Sequence, residues 1–162
     1  MTRTRLILIL AAAAFVAHLL IIYPGLPPTV ASHFDAQGTP NGWMSKEMFI
    51  VIEAVILVFV VGEFILVPFF IRKMPNSRIN LPNKEYWLSP AHREEMLSIM
   101  GRYFEIFGVM VLVLVVVVNQ FVYLANVSRT NLTSSIWIVI VAFLLFTIVW
   151  LIKLMREFRV NK

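Results

Sequence analysis

Residues 103–125 read YFEIFGVMVLVLVVVVNQFVYLA, an apolar run whose single charged side chain, Glu105, sits near its start. An α-helix rises about 1.5 Å per residue, so roughly 20 such residues cover the hydrocarbon core of a bilayer. Three further stretches fit the same description: Leu6–Tyr23, Met48–Ile71 and Ile136–Ile152. Together they predict an all-α fold, a single four-span membrane domain over residues 1–162, arranged up-down-up-down as a four-helix bundle. The composition agrees, with 60% hydrophobic and 14% charged residues. A soluble domain runs nearer about 45–50% apolar and about 25% charged.

The formal charge of +5 is not the footprint of a nucleic-acid binder, because the basic residues collect at the ends of the apolar runs. Arg3 and Arg5 precede the first run. Arg72, Lys73, Arg78, Lys84, Arg93 and Arg102 lie between the second and third, and Lys153, Arg156, Arg159 and Lys162 follow the fourth. Only Lys46 and Arg129 fall on the opposite side. Positive residues remain in the cytoplasm, which predicts cytoplasmic N- and C-termini. The arginines and alanines of the first run also suit a cleaved signal peptide, but the run continues through Leu19–Ile22, which favours a retained span. The chain has no cysteine, so neither disulfides nor thiolate metal sites arise.

The loop between the first two runs is rich in Pro and Gly, which excludes a long helix and favours consecutive turns. Val30, Phe34 and Trp43 within it can pack the loop onto the membrane surface, making a compact extracytoplasmic cap. In the longer loop between the second and third runs, Ser89-Pro90 reads as a helix start, with Ser as the cap. Met96, Leu97, Ile99 and Met100 then lie on the membrane or lead into the third span. Tyr86 and Trp87 beside Lys84 read as an interfacial anchor.

The first loop, LPPTVASHFDAQGTPNGWMSK over residues 26–46, resembles the signature of a bacterial membrane domain of unknown function. NLPNKEYWL, residues 80–88, resembles that domain's second block. The domain forms the N-terminal part of the Sdp-type toxin-immunity proteins, the SdpI family, and the likeness runs over about residues 5–105. It implies a multi-pass protein of the bacterial cytoplasmic (inner) membrane that recognises a peptide toxin or envelope ligand outside and meets a cytoplasmic protein inside. His33, Phe34, Asp35, Trp43 and Lys46 are then the ligand-recognition candidates. Asn80, Pro82, Asn83, Tyr86 and Trp87 form the cytoplasmic-loop motif. The longer immunity proteins add a further C-terminal membrane region to this part.

A second set of candidates lies within the spans. His18 and Glu53 fall ~7–8 Å below the outer surface, and Asn119 and Gln120 reach a similar depth, so the four can meet beneath the loop. The plain reading is hydrogen bonding between helices; the sharper one is a binding pocket. His33 and Asp35 supply too few ligands for a metal and read more simply as turn caps. Glu63 lies about 12 Å from the inner end of its span, where an ionisable group is costly and suggests function. It lies about 80° around the helix from Glu53, with Arg102 and Glu105 as its nearest charged company. Pro68 leaves the Phe64 carbonyl without its helical donor, a condition for a kink.

The glycosylation patterns at Asn126 and Asn131 read as chance matches. No phosphate-binding loop, nucleophile elbow or zinc-protease motif is present, so no catalytic residue, cofactor or metal is assigned. Three function classes follow: recognition of an envelope ligand by a protein that is not an enzyme, a small proton-coupled transporter using Glu53 and Glu63, and a metal- or lipid-handling membrane enzyme.

Overall fold

The computed structural model describes residues 2–159. Four helices are long and apolar enough to cross a membrane: α1 (Arg3–Ile22), α2 (Lys46–Lys73), α4 (Arg93–Ser128) and α5 (Ile136–Glu157). Strands β1 (Thr29–Phe34) and β2 (Pro40–Ser45) lie between α1 and α2, and a one-turn helix, α3 (Lys84–Trp87), precedes α4. The fold is all-α with one small hairpin. The chain alternates direction through the bundle, so the start of α1, the α2–α4 connection and the end of α5 share one face, and the hairpin occupies the other.

α4 is the central element and packs on both α1 and α2. Its middle meets a core of Leu8, Phe15, Leu19 and Ile22 from α1 and Phe64 from α2, closed by Leu112 of α4 itself. Gly108 permits the close approach of α2: a Cβ there would stand 2.7 Å from Phe64 Cδ2. Phe64 in turn packs edge-on to Phe107, with centroids 5.9 Å apart. At 36 residues α4 is about 54 Å long, more than a bilayer core requires. Its first turns therefore project beyond the apolar layer.

α5 is attached differently. It packs mainly on α4, through Phe107 against Phe143, Phe146 and Trp150. Apart from Ile136 at its start, none of its residues is buried. An all-round apolar helix of this kind is held in place by the lipid as much as by its neighbours.

Three local expectations need correction. The loop between α1 and α2 is compact but is a hairpin, not a succession of turns. β1 and β2 pair antiparallel, Thr29 opposite Ser45 and Phe34 opposite Pro40, with irregularities on either side of His33. Pro40 opens its strand, a position that tolerates a missing donor, and the irregularities break the period-two pattern that would have announced strands. The third long helix starts at Arg93, one turn after Ser89-Pro90. The Ser89 carbonyl accepts from the N–H groups of His92 and Arg93, but its hydroxyl donates back to the Tyr86 carbonyl and so does not cap the helix.

On the terminus face a second core gathers Ile79, Trp87, Leu88, Met96, Leu97, Ile99 and Phe158. Met96, Leu97 and Ile99 thus lead into the third span and are buried in protein rather than lying on the membrane. Trp87 is likewise buried, so it is a packing residue and not an interfacial anchor. Tyr86 is the partly exposed member of the pair.

Candidate functional site

The hairpin is fixed on three sides by interactions that each satisfy backbone groups. Asp35 closes its turn: Oδ1 accepts from the N–H groups of Gln37 (2.9 Å) and Thr39 (2.8 Å). Gly38 follows at φ +80°, a conformation that favours glycine, and its carbonyl accepts from Leu132 N–H at 2.8 Å. Any side chain there would strike the Leu132 carbonyl, so the turn is docked onto the α4–α5 connection. The third fixing point is Asn126, near the end of α4. Its Oδ1 accepts from Ala31 N–H at 2.7 Å, and its Nδ2 donates to the Ala31 carbonyl at 2.9 Å and to the Val122 carbonyl at 2.9 Å. Below these contacts Leu26, Val30, Phe49 and Val122 form a small core, with Phe34 and Met44 packed against it.

Trp43 is set apart from this arrangement. It lies opposite Ala31 in the hairpin yet is 60% exposed, whereas Val30 is fully buried. It borders a cleft of about 530 Å³ between the hairpin and the end of α4, whose walls include Pro28, Phe34, Asn126, Arg129 and Asn131. Arg129 ends α4 in the left-handed region, at φ 55°.

The other loop candidates divide. Phe34 is partly buried in the hairpin core. His33 is exposed, with Nδ1 3.0 Å from Ser32 Oγ. Lys46 places Nζ 4.7 Å from the Tyr23 ring centroid, and its N–H donates to the Pro28 carbonyl, which ties the end of β2 to the start of the loop. Asp35 spends its carboxylate on the turn. Among the described residues no three His, Asp or Glu side chains are grouped to hold a metal ion.

Of the four intramembrane residues placed at one depth, the structure joins two. Asn119 Nδ2 donates to Glu53 Oε2 at 2.8 Å, with both residues buried, at 3% and 6% exposure. His18 is not part of this pair: its Nε2 is buried and finds no hydrogen-bond partner among the described residues. Gln120 is half-buried and joins neither. Glu63 faces outward from α2, although its neighbour Phe64 is buried, so Glu53 and Glu63 do not share one interior face. α2 continues as a helix through Pro68 to Lys73.

Arg102 does not reach Glu63. The carboxylate that gains company is Glu105, which is 2% exposed and accepts from Thr2 Oγ1 (2.9 Å), from Thr4 Oγ1 and from Arg5 Nε (2.9 Å). It anchors the start of α1 to α4. On the same face Asn83 Nδ2 and Trp87 Nε1 both donate to the Phe158 carbonyl, at 2.8 and 3.0 Å. Asn83 itself adopts φ 51°. Tyr86 stacks on His92 with centroids 3.9 Å apart, Pro82 is half-buried and Asn80 is exposed. The second block therefore holds the end of α5.

Sequence reading missed Asn126 and Glu105 in these roles. The one signal for Asn126 was its place as an amide near the end of a long apolar run, where a polar side chain needs a partner.

Residues 7–58 match a family described as a domain of unknown function (DUF1648). The match takes in α1 from Ile7 onward, the hairpin and the first half of α2, and it stops short of the block at residues 80–88. No curated protein and no solved structure matches the chain. The chain is thus a multi-pass membrane protein whose N-terminal third is similar to this domain of unknown function.

Proposed function

We propose that this protein lies in the bacterial cytoplasmic membrane with both termini in the cytoplasm, and that its outer hairpin recognises a peptide or other envelope ligand. This is the role of a toxin-immunity or signalling protein. The observation that carries the reading is Trp43, an exposed indole at the rim of a cleft built on an otherwise immobilised hairpin. Large rigid aromatics dominate recognition hot spots, and a scaffold fixed before binding loses little entropy when the ligand arrives. Arg129 at the same cleft suits an acidic group or a peptide carboxylate. The orientation rests on the basic residues, all but Lys46 and Arg129 of which precede the first span, lie between the second and third, or follow the fourth. On the terminus face, the Tyr86–His92 stack offers a surface for a cytoplasmic partner.

The test is survival of sensitive bacteria that express the protein and are challenged with membrane-active peptide toxins. Trp43→Ala, His33→Ala and Glu63→Ala variants are run at matched membrane levels. Recognition requires that protection falls with Trp43→Ala and persists with Glu63→Ala. Protection that depends on Glu63 and not on Trp43 points instead to transport, and protection by none of the proteins removes the immunity role.

A further inference from the structure

On the face opposite the hairpin, the first turn of α1, the last third of α2 and the start of α4 enclose a cleft of about 760 Å³. Its two walls differ in chemistry. One is apolar, with Ile65, Leu66, Pro68 and Phe69 of α2, and Leu66 and Phe69 are each about half exposed toward the surroundings of the bundle. The other carries guanidinium groups from all three helices: Arg3 and Arg5 from α1, Arg72 from α2 and Arg102 from α4. A single carboxylate, Glu105, lines the cleft, and it is already committed to Arg5.

The remaining three cations are not neutralised within the cleft. Arg72 makes an ion pair with Glu94, but both side chains are largely exposed and the pair is weak. Among the described residues Arg3 and Arg102 make no ion pair. Gly101, between these groups on α4, has no neighbour within 4 Å of where a Cβ would stand. The cleft is therefore open at the level of the arginines.

We infer that this cleft binds the phosphate of an anionic phospholipid, with the headgroup among Arg3, Arg72 and Arg102 and an acyl chain along Leu66 and Phe69. Guanidinium groups match phosphate oxygens in pairs, and basic pockets between spanning helices suit anionic headgroups. The apolar wall selects the lipid over a free phosphate, because a soluble ion leaves Leu66 and Phe69 unused. The inference rests on the membrane-spanning fold and is independent of ligand recognition by the hairpin.

The full-length protein, purified in mild detergent, is incubated with equal amounts of phosphatidylglycerol and phosphatidylcholine, and retained lipid is counted by native mass spectrometry. Three proteins are compared: wild type, Arg3→Gln/Arg102→Gln and Gly101→Leu. The arginine pair is exposed and Gly101 faces open space, so all three should fold, and their thermal midpoints check this directly. Wild type should retain one phosphatidylglycerol in preference to phosphatidylcholine. The double variant should weaken that binding about thirtyfold, and Gly101→Leu should block it by filling the cleft. Equal retention of both lipids by wild type, or unchanged preference in both variants, would overturn the assignment. Displacement by millimolar glycerol phosphate as effective as by the lipid would also overturn it, by assigning the cleft to a soluble phosphate ligand.

Discussion

The side chain of Asn126 pairs with the backbone of Ala31 as a neighbouring strand would, giving one acceptor and one donor to the two groups β1 turns away from β2. A helix thereby closes the edge of a two-stranded sheet that would be marginal alone. Asn126→Ala leaves the N–H and C=O of Ala31 unpaired in a buried place, and each such loss costs about 1–3 kcal/mol. The variant should unfold at a clearly lower temperature, and the Ala31 amide should exchange with solvent far faster than in wild type. Unchanged exchange at Ala31 would mean that the pairing contributes nothing. Because Nδ2 is held by two carbonyls, glycan transfer to Asn126 is also excluded in the folded protein.

The pair formed by Glu53 and Asn119 is a different case, since both partners are buried side chains and neither fixes the backbone. Asn119→Leu strands a carboxyl group in the bundle and should destabilise by about 1–3 kcal/mol. Removing both, as Glu53→Leu/Asn119→Leu, should recover most of that loss, because apolar replacement of a whole polar pair is close to neutral. A double-mutant cycle on thermal or denaturant unfolding in detergent decides it. Additive effects would show that the hydrogen bond carries no coupling, and would leave Glu53 with another role.

How much of this was readable in the chain depends on the distance over which each feature is written. The spans are local: an apolar run such as residues 103–125 specifies a buried or lipid-facing helix without reference to the rest. The hairpin is local too, but its signal is spoiled by Pro40 at a strand start and by irregular pairing around His33, where alternation fails. The knot at Glu105 could not be read, because its donors Thr2, Thr4 and Arg5 lie about a hundred positions away, and only the packing of α1 on α4 brings them together. The same holds for Phe158, whose carbonyl is claimed by Asn83 and Trp87 from 75 and 71 positions earlier in the chain. Depth alone grouped His18 and Gln120 with Glu53, but depth says nothing about which way a side chain points around its helix.

Two glycines of α4 should respond oppositely to substitution. At Gly108 a side chain collides with the Phe64 ring, which is itself held by Phe104 and Phe107. Gly108→Val should separate α2 from α4 and cost at least about 1–3 kcal/mol through overpacking. At Gly101 a Cβ meets nothing, so Gly101→Ala should be neutral or stabilising by up to about 1 kcal/mol through helix propensity. Thermal unfolding of the two variants side by side is the measurement. If Gly108→Val were as stable as wild type, the close α2–α4 contact would not exist in the membrane.

Glu63 presents the sharpest conflict between residue and surroundings. It lies in the interior of α2, turned outward next to exposed Phe59 and Leu66, and among the described residues it has no hydrogen-bond partner. Acidic groups near the centre of a spanning helix cost about 2.5–3.5 kcal/mol on insertion scales, whereas leucine is slightly favourable. If lipid alone faces this position, Glu63→Leu should insert better and unfold at a higher temperature than wild type in the same detergent. A variant that is instead less stable, or that loses a larger species on gel filtration while wild type keeps it, would show that a second protein supplies a partner for the carboxyl. α2 would then be an intramembrane contact surface, and Glu63 the residue that selects what binds there.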